Sequence, residues 1–340
     1  MKPVKVKAYA RAGVDVDLGN TVKRGIQSIV RSTHGPEVLG KIGGFGGLFR
    51  PNFKGMKDPV LVSSVDGVGT KLKIAFATNR HDTIGQDLVN HCIDDIAVLG
   101  ARPLFFLDYL ASASLDPAVF KSILSGFAKA CKAGGCALIG GETAQMPGMY
   151  QEGEYDVAGT IVGVVDRAKM LDGSKVRPGD VIIGLPSNGL HTNGYSLARK
   201  VLFGTMGLKV TSRLPELRLP LGEELLRVHK NYQPLMASLP DGLLHAAAHI
   251  TGGGLVDNLP RVLPPGTQAN IRRNAWKVPP IFRIIEEGGR IDADEMYQVF
   301  NMGIGMTLIV SKKRAAEALK LTRGKLIGEI VEGSGKVVLV

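Results

Sequence analysis

Acidic residues set beside glycine turns are the first chemistry this chain offers. Asp66 follows an apolar run at residues 60–65 and opens the turn Asp66-Gly67-Val68-Gly69-Thr70-Lys71. Its glycines let the backbone N–H groups of Gly67, Gly69 and Thr70 face a phosphate. The Lys71 ammonium, five residues on, could reach the same group. A Walker A loop would end in Gly-Lys-Ser/Thr, which this turn lacks. Gly140-Gly141-Glu142-Thr143 repeats the design, with a carboxylate after a glycine pair. Asp95 is the third acid. Over residues 83–99, a step of ~100° per residue puts Leu88, Cys92, Ile93, Ile96 and Leu99 on an apolar face. Asp87, Asn90, His91 and Asp94 then form a polar arc opposite it. Asp87 and Asp94 read equally well as a solvated face. Asp95, at the edge of the apolar stripe, needs a partner to offset its desolvation. Asp66, Asp95 and Glu142 supply enough oxygen to hold Mg²⁺ bridging a nucleotide.

Three further glycine segments extend this reading. Gly43-Gly44-Phe45-Gly46-Gly47 is either a plain linker or a lid that closes over phosphates. Ser187-Asn188-Gly189-Leu190-His191-Thr192-Asn193-Gly194 joins an expected strand to an expected helix. Free N–H groups and a positive dipole end at such a junction suit a substrate phosphate. His191 there is either an exposed loop histidine or a donor or acid. Gly252-Gly253-Gly254, before another expected helix, is a second candidate anion site.

These groups need elements to position them. Strands are expected at residues 60–65, 104–110, 136–139, 155–165 and 181–185. Asp116-Pro117 is a cap and first-turn pair for a helix that stops at Gly134-Gly135. Residues 1–58 read as glycine-rich and irregular. A charged stretch bearing Gly and Pro, residues 166–179, marks the expected boundary, giving domains at 1–167 and 168–340. The element order is mixed rather than strictly βαβ, so the expected class is α+β in two domains, which suits 340 residues. The net charge of +11 is dispersed and aromatics are only 6%, which argues against nucleic acid and for small polyanionic ligands. Cys92, Cys131 and Cys136 make no disulfide framework. No apolar run reaches membrane-spanning length. A reduced, cytoplasmic enzyme is therefore expected.

Taken together, the segments YARAGVDVDLGN, GGFGGLF, VSSVDGVGTKLKIA, RHDTIGQDLVNHCIDDIAVLGARPLFFLDY, GGETAQMPGMY, YDVAGTIVGVV, GLHTNGYSL, HITGGGLVDNLPRVLP and MYQVFNMGIGM carry a resemblance. In that order they resemble the phosphoribosylformylglycinamidine cyclo-ligase (AIR synthetase) family across nearly the whole chain. One departure is Gln145, where the usual pattern has a second glutamate. The resemblance implies an N-terminal domain of sheet and helices that builds a β-barrel with its twin across a homodimer. It implies a C-terminal α/β sandwich domain that closes the active-site cleft. Thiamine-monophosphate kinase, selenophosphate synthetase and the large purine amidotransferase look related in fold and in use of ATP and Mg²⁺.

By motif, the resemblance makes Asp66, Asp95 and Glu142 the metal–nucleotide carboxylates. Gly43, Gly44, Gly46, Gly47, Asp66, Gly67, Gly69, Thr70 and Lys71 fall in its nucleotide- and phosphate-binding segments. His191, Thr192, Asn193 and Gly194 lie near substrate, with Gly252 and Gly253 beside them. The implied reaction is ATP-dependent ring closure of formylglycinamidine ribonucleotide to 5-aminoimidazole ribonucleotide in purine biosynthesis. In it, ATP phosphorylates the formamide oxygen, the tethered amidine nitrogen attacks, and phosphate departs. Lys71 would assist the transfer and His191 would protonate or hydrogen-bond the departing oxygen. A small-molecule kinase of the same superfamily is the rival, and it should lack the GGETAxMPGMY and GLHTNGYS segments, which are present.

Overall fold

Residues 59–67 alternate between exposed and half-buried positions and form β1 (Pro59–Gly67), as period-two patterning dictates. β1 joins β2 (Arg102–Ser112), β3 (Ala137–Gln145) and β4 (Tyr155–Asp166) in one open sheet, in the order β1-β4-β2-β3. The β1–β4 and β4–β2 pairs are antiparallel and β2–β3 is parallel. The computed structural model describes residues 7–340.

Two helices cover one face of this sheet, α5 (Ile84–Ala97) and α6 (Pro117–Gly134). Asp116 caps α6 by accepting from Ala118 N and Val119 N, Pro117 fills the first turn, and Gly135 ends it in the left-handed region at φ 69°, the usual helix stop. The two helices touch backbone to backbone: a Cβ on Gly126 would lie 3.1 Å from Gly85 Cα. α5 ends at Ala97, so Leu99 falls outside it and is exposed. Its place in the apolar stripe was therefore wrongly expected. The reading of residues 1–58 as irregular also fails in part. α1 (Ala8–Arg11), α2 (Val16–Gly25) and α3 (Gln27–Arg31) precede a short helix α4 (Leu72–Thr78). The Asp15 carboxylate caps α2 by accepting from Leu18 N at 2.9 Å, an N-cap that the glycine-rich composition masks.

The rest of the chain builds a six-stranded sheet, in the order β10-β7-β9-β5-β8-β6. Its strands are β5 (Val181–Pro186), β6 (Leu244–His249), β7 (Thr267–Ile271), β8 (Ile304–Val310), β9 (Lys325–Glu332) and β10 (Val337–Leu339). Every residue of β8 is buried, which explains a sequence run with no polar alternation. Helix Ala315–Thr322 packs against β5, and helix Pro280–Gly289 packs against the helix Ala293–Val299. The molecule is thus a mixed α+β protein with two sheets. Among the described residues no helix is long and apolar enough to cross a membrane.

The Gly85–Gly126 contact yields a stability test. Gly85→Ala places a methyl against backbone atoms of α6 and is expected to cost roughly 1–3 kcal/mol. Urea unfolding measures this; an unchanged midpoint would mean that the helix pair separates freely.

Candidate functional site

The polar arc of α5 is not solvated. Asp87, Asn90, His91 and Asp94 are all buried, because the C-terminal half of the chain packs on them. Asp87 Oδ1 accepts from His229 N at 2.7 Å, Asn90 Nδ2 donates to His229 O at 2.7 Å, and Asp94 Oδ1 accepts from Tyr232 N at 2.8 Å. Helical spacing sets these three side chains in one row, which matches the backbone groups of an extended segment. Burial pushes the Asp94 carboxyl well above the usual carboxylate range.

Lys71 belongs to the same seam. Its ammonium donates to Asp87 Oδ1 at 2.8 Å, to His191 O at 3.1 Å and to Arg227 O at 2.7 Å. All three N–H donors are spent and the side chain is 0% exposed. Burial pulls Lys71 down and pushes Asp87 up, and their mutual attraction opposes both. The expected reach of Lys71 to phosphates is not met in this structure; the side chain ties the two halves together instead.

At the rim of this seam, Asp66 and Asp95 meet around His91. Asp66 Oδ1 accepts from Gly67 N at 2.6 Å, and its Oδ2 takes His91 Nε2 at 2.8 Å. Asp95 Oδ2 is 3.9 Å from the same nitrogen and accepts from Ser64 Oγ at 3.0 Å, while Oδ1 takes His249 Nδ1 at 2.8 Å. Burial acts to raise Asp66, but the His91 hydrogen bond and charge bring it below the usual range. Asp95 is lowered likewise, burial being outweighed by His249, His91 and Ser64. Burial acts to lower His91, and Asp66 and Asp95 more than offset it. The two carboxylates keep 38% and 26% of their side chains in solvent. They are ionised, oxygen-rich and open on one side, a donor set that fits a hard divalent cation.

Glu142 lies elsewhere. The register pairs Asp66 with Gly159, Gly159 with Asp108, and Asp108 with Gly141. Glu142 is therefore three strand spacings from Asp66, about 14 Å at the usual separation. The expected cluster of three carboxylates is two seats rather than one, because β4 and β2 run between them. Asp108, not singled out in the sequence, fills the gap. Its enclosed carboxyl is pushed up to about 7 by burial, with the charge of Glu142 adding to the effect.

Asp108 and Glu142 line a cavity of about 430 Å³ together with Gly43, Gly44, Gly46 and Gly47. Ile26, Val30, Ile42 and Leu138 form its apolar wall. Phe45, at the tip of the glycine loop, is fully exposed. Gln145 serves neither seat. It accepts from Asp15 N and donates to Asp15 O, both at 3.1 Å. An amide can pair with a peptide group in both directions, whereas a carboxylate cannot donate.

On the C-terminal side, His191 adopts φ 62° and stacks on His229, with ring centroids 4.1 Å apart. It is buried rather than an exposed loop histidine. Burial, then the neighbouring His249 and Lys71, drive its pKa well below the ordinary value. The shift favours the neutral imidazole, which still carries one N–H to donate. Thr192 Oγ1 meets His91 Nδ1 at 2.7 Å. Gly194 sits at φ 76°, and Asn193 Oδ1 is 3.3 Å from where a Cβ on Gly252 would lie. Gly253 sits at φ 94°. The Asn258 amide holds this turn by donating to the carbonyls of Gly252 and Gly254. The structure thus joins the His191–Thr192–Asn193–Gly194 segment to the Gly252 turn, and both to Asp95 through His249. Thr70 Oγ1 joins the same junction at 3.0 Å from Ser196 Oγ, beside Gly69 at φ 65°. His229 and His249 were not singled out in the sequence; the signal present was that His249 opens the HITGGG segment, three residues before Gly252.

Comparison with known proteins places this architecture. Residues 53–165 match the N-terminal domain of AIR synthase related proteins, and residues 177–340 match the C-terminal domain. The chain belongs to the AIR synthase related family. It is 53% identical over 338 residues to the phosphoribosylformylglycinamidine cyclo-ligase of Citrifermentans bemidjiense, covering 98% of this chain and 97% of that protein. It is 48% identical over 337 residues to the enzyme of the same name from Alkaliphilus oremlandii, covering 97% and 99%. In fold it is similar to the hydrogenase maturation protein HypE in complex with ATP, at TM-score 0.66 and 19% identity, covering 93% of this chain and 90% of that one. Thiamine-monophosphate kinase from Stenotrophomonas maltophilia superposes at TM-score 0.64 and 18% identity, covering 96% of each chain.

Removing the Lys71 ammonium tests the seam. Lys71→Met leaves Asp87 buried without its counter-charge and is expected to cost about 3–5 kcal/mol in urea unfolding. Adding Asp87→Leu to the same chain should return part of that loss; no loss in the single variant would contradict the ion pair.

Proposed function

We propose that this protein is a phosphoribosylformylglycinamidine cyclo-ligase, which closes formylglycinamidine ribonucleotide to 5-aminoimidazole ribonucleotide at the expense of ATP. The observation that carries the reading is the 53% identity over 338 residues to a cyclo-ligase of that name, across both halves of the site. A kinase reading has only structural likeness at 18% identity, which speaks to fold alone.

The parts can be given roles. The glycine loop and the 430 Å³ cavity are suited to ATP, the apolar wall taking the base and the Gly43–Gly44 and Gly46–Gly47 N–H groups the phosphates. Asp66 and Asp95 would hold Mg²⁺, with Glu142 and Asp108 facing the nucleotide from the second seat. When bound, that ion neutralises charge on the transferred phosphoryl group. Gly67, Gly69 and Thr70 border the same cleft. The substrate phosphate would sit on His191, Thr192, Asn193, Gly194, Gly252 and Gly253.

Ring closure is assisted because the amidine nitrogen is tethered to the carbon it attacks. What remains is a poor leaving group, the formamide oxygen, and phosphorylation makes it a good one. His191, buried beside this segment, is suited to hydrogen-bond the departing oxygen through its ring N–H.

A homodimer is also proposed. Leu61 is 61% and Val65 68% exposed on the face of the first sheet away from α5, with Tyr109 beside them. A sheet face this apolar is normally covered, and a second copy would complete a barrel of the two sheets. A cytoplasmic location suits the reduced, buried thiols.

Incubation with ATP, Mg²⁺ and formylglycinamidine ribonucleotide should give ADP, phosphate and the aminoimidazole in equal amounts. A stable phosphorylated substrate without ring closure would support the kinase instead. Asp95→Asn should lower turnover about a hundredfold, the ~3 kcal/mol typical of one lost electrostatic stabiliser; normal turnover at low Mg²⁺ would remove Asp95 from the metal seat. Light scattering should report twice the mass of one chain, and Val65→Asp should halve it. A monomeric parent protein would end the dimer reading.

A further inference from the structure

Three imidazoles from separate segments converge on one buried space beside α5. They are His191 from the loop after β5, His229 from the segment that α5 grips, and His249 at the end of β6. One ring nitrogen of each lies within 4.8 Å of the others. The far nitrogens of two are already held: Asp95 Oδ1 takes His249 Nδ1 at 2.8 Å, and Thr192 Oγ1 lies 3.3 Å from His229 Nδ1. That orientation leaves His229 Nε2 and His249 Nε2 facing each other at 3.0 Å. His191 is 1% exposed, and neither of its ring nitrogens has a hydrogen-bond partner.

A buried polar group left unpaired is costly, so this ring is set up for something that the polypeptide does not supply. A carboxylate or hydroxyl behind a histidine, with the other nitrogen turned inward, is how proteins aim imidazoles at zinc. Two ligands held in this way, a third in His191 with both ring nitrogens unpaired, and one position left open form the ligand set of a four-coordinate site for a borderline divalent cation.

We propose that His191, His229 and His249 form a site for one divalent transition-metal ion of the zinc class, supported from behind by Asp95 and Thr192. The nitrogen donors separate this site from the oxygen seat of Asp66 and Asp95, which suits magnesium. Asp66 and Asp95 border it and offset the added charge. The site rests on ring geometry and stands whether or not the cyclo-ligase reading does.

Cobalt(II) is the probe. The full-length protein, freed of metal by chelator dialysis, is titrated with cobalt(II) alone, and its visible ligand-field absorption is followed. Intense four-coordinate bands saturating at one equivalent per chain are expected, bleached by zinc and unmoved by excess magnesium. His229→Asn and His191→Asn should each weaken cobalt binding at least about a hundredfold, and Thr192→Val about tenfold. Should the histidine variants fail to fold, X-ray absorption on the wild-type zinc complex decides instead, with three imidazole nitrogens as the expected shell. The proposal is overturned by the absence of a saturable cobalt spectrum. It is overturned equally by bands that survive in both histidine variants, by thiolate-to-cobalt charge transfer, or by a zinc shell of oxygens.

Discussion

A row of polar side chains on one helix, buried against a second domain, is the constraint that the rest of the structure obeys. Asp87, Asn90 and Asp94 could face water in an isolated first domain. In the assembled protein they cannot, so each takes a backbone group of the His229–Tyr232 segment. Lys71 completes the seam with three donors and three acceptors. Buried charge of this kind contributes little net stability but is costly to break. It therefore fixes the relative position of the two sheets more sharply than an apolar interface of the same size would. It also fixes His191, whose carbonyl is one of the acceptors that Lys71 requires.

The site inherits its geometry from that seam. Asp95 is one residue past Asp94 on α5, and it turns from the buried row toward the cleft. There it holds His249 of the second domain and Ser64 of the first. The two carboxylate seats, Asp66 with Asp95 and Asp108 with Glu142, are separated by strand spacing alone. A ligand long enough to touch both must lie across the sheet, and a nucleoside triphosphate has that length. The glycine loop closes the far end of such a path, where Gly47 packs against Ile139.

Much of this was legible in the sequence, and the failures have physical reasons. The strands expected at residues 60–65, 104–110 and 155–165 lie within the observed β1, β2 and β4, and helices α5 and α6 follow from periodicity and caps. The acids at 66 and 142 stood out because they follow an apolar run and a glycine pair, and Asp95 because it borders the apolar stripe of α5. Lys71 was misjudged because spacing along a turn says nothing about which way a side chain leaves it. For Asp87 and Asp94 a solvated face read equally well because a helix has the same period whether water or a second domain covers its polar face. His229 carried no motif at all; only the fold brings it to His191. Gln145 shows the reverse case, a departure from pattern that the structure explains through Asp15.

The central claim is that this junction activates an amide oxygen by phosphorylation so that a tethered nitrogen can displace it. The direct test is to supply formylglycinamidine ribonucleotide carrying ¹⁸O in its formyl group and to follow the label by mass spectrometry. The account predicts that the labelled oxygen leaves the substrate bonded to phosphorus and is recovered in inorganic phosphate, one label for each ring closed. Label released into water, with unlabelled phosphate formed alongside the ring, would contradict it.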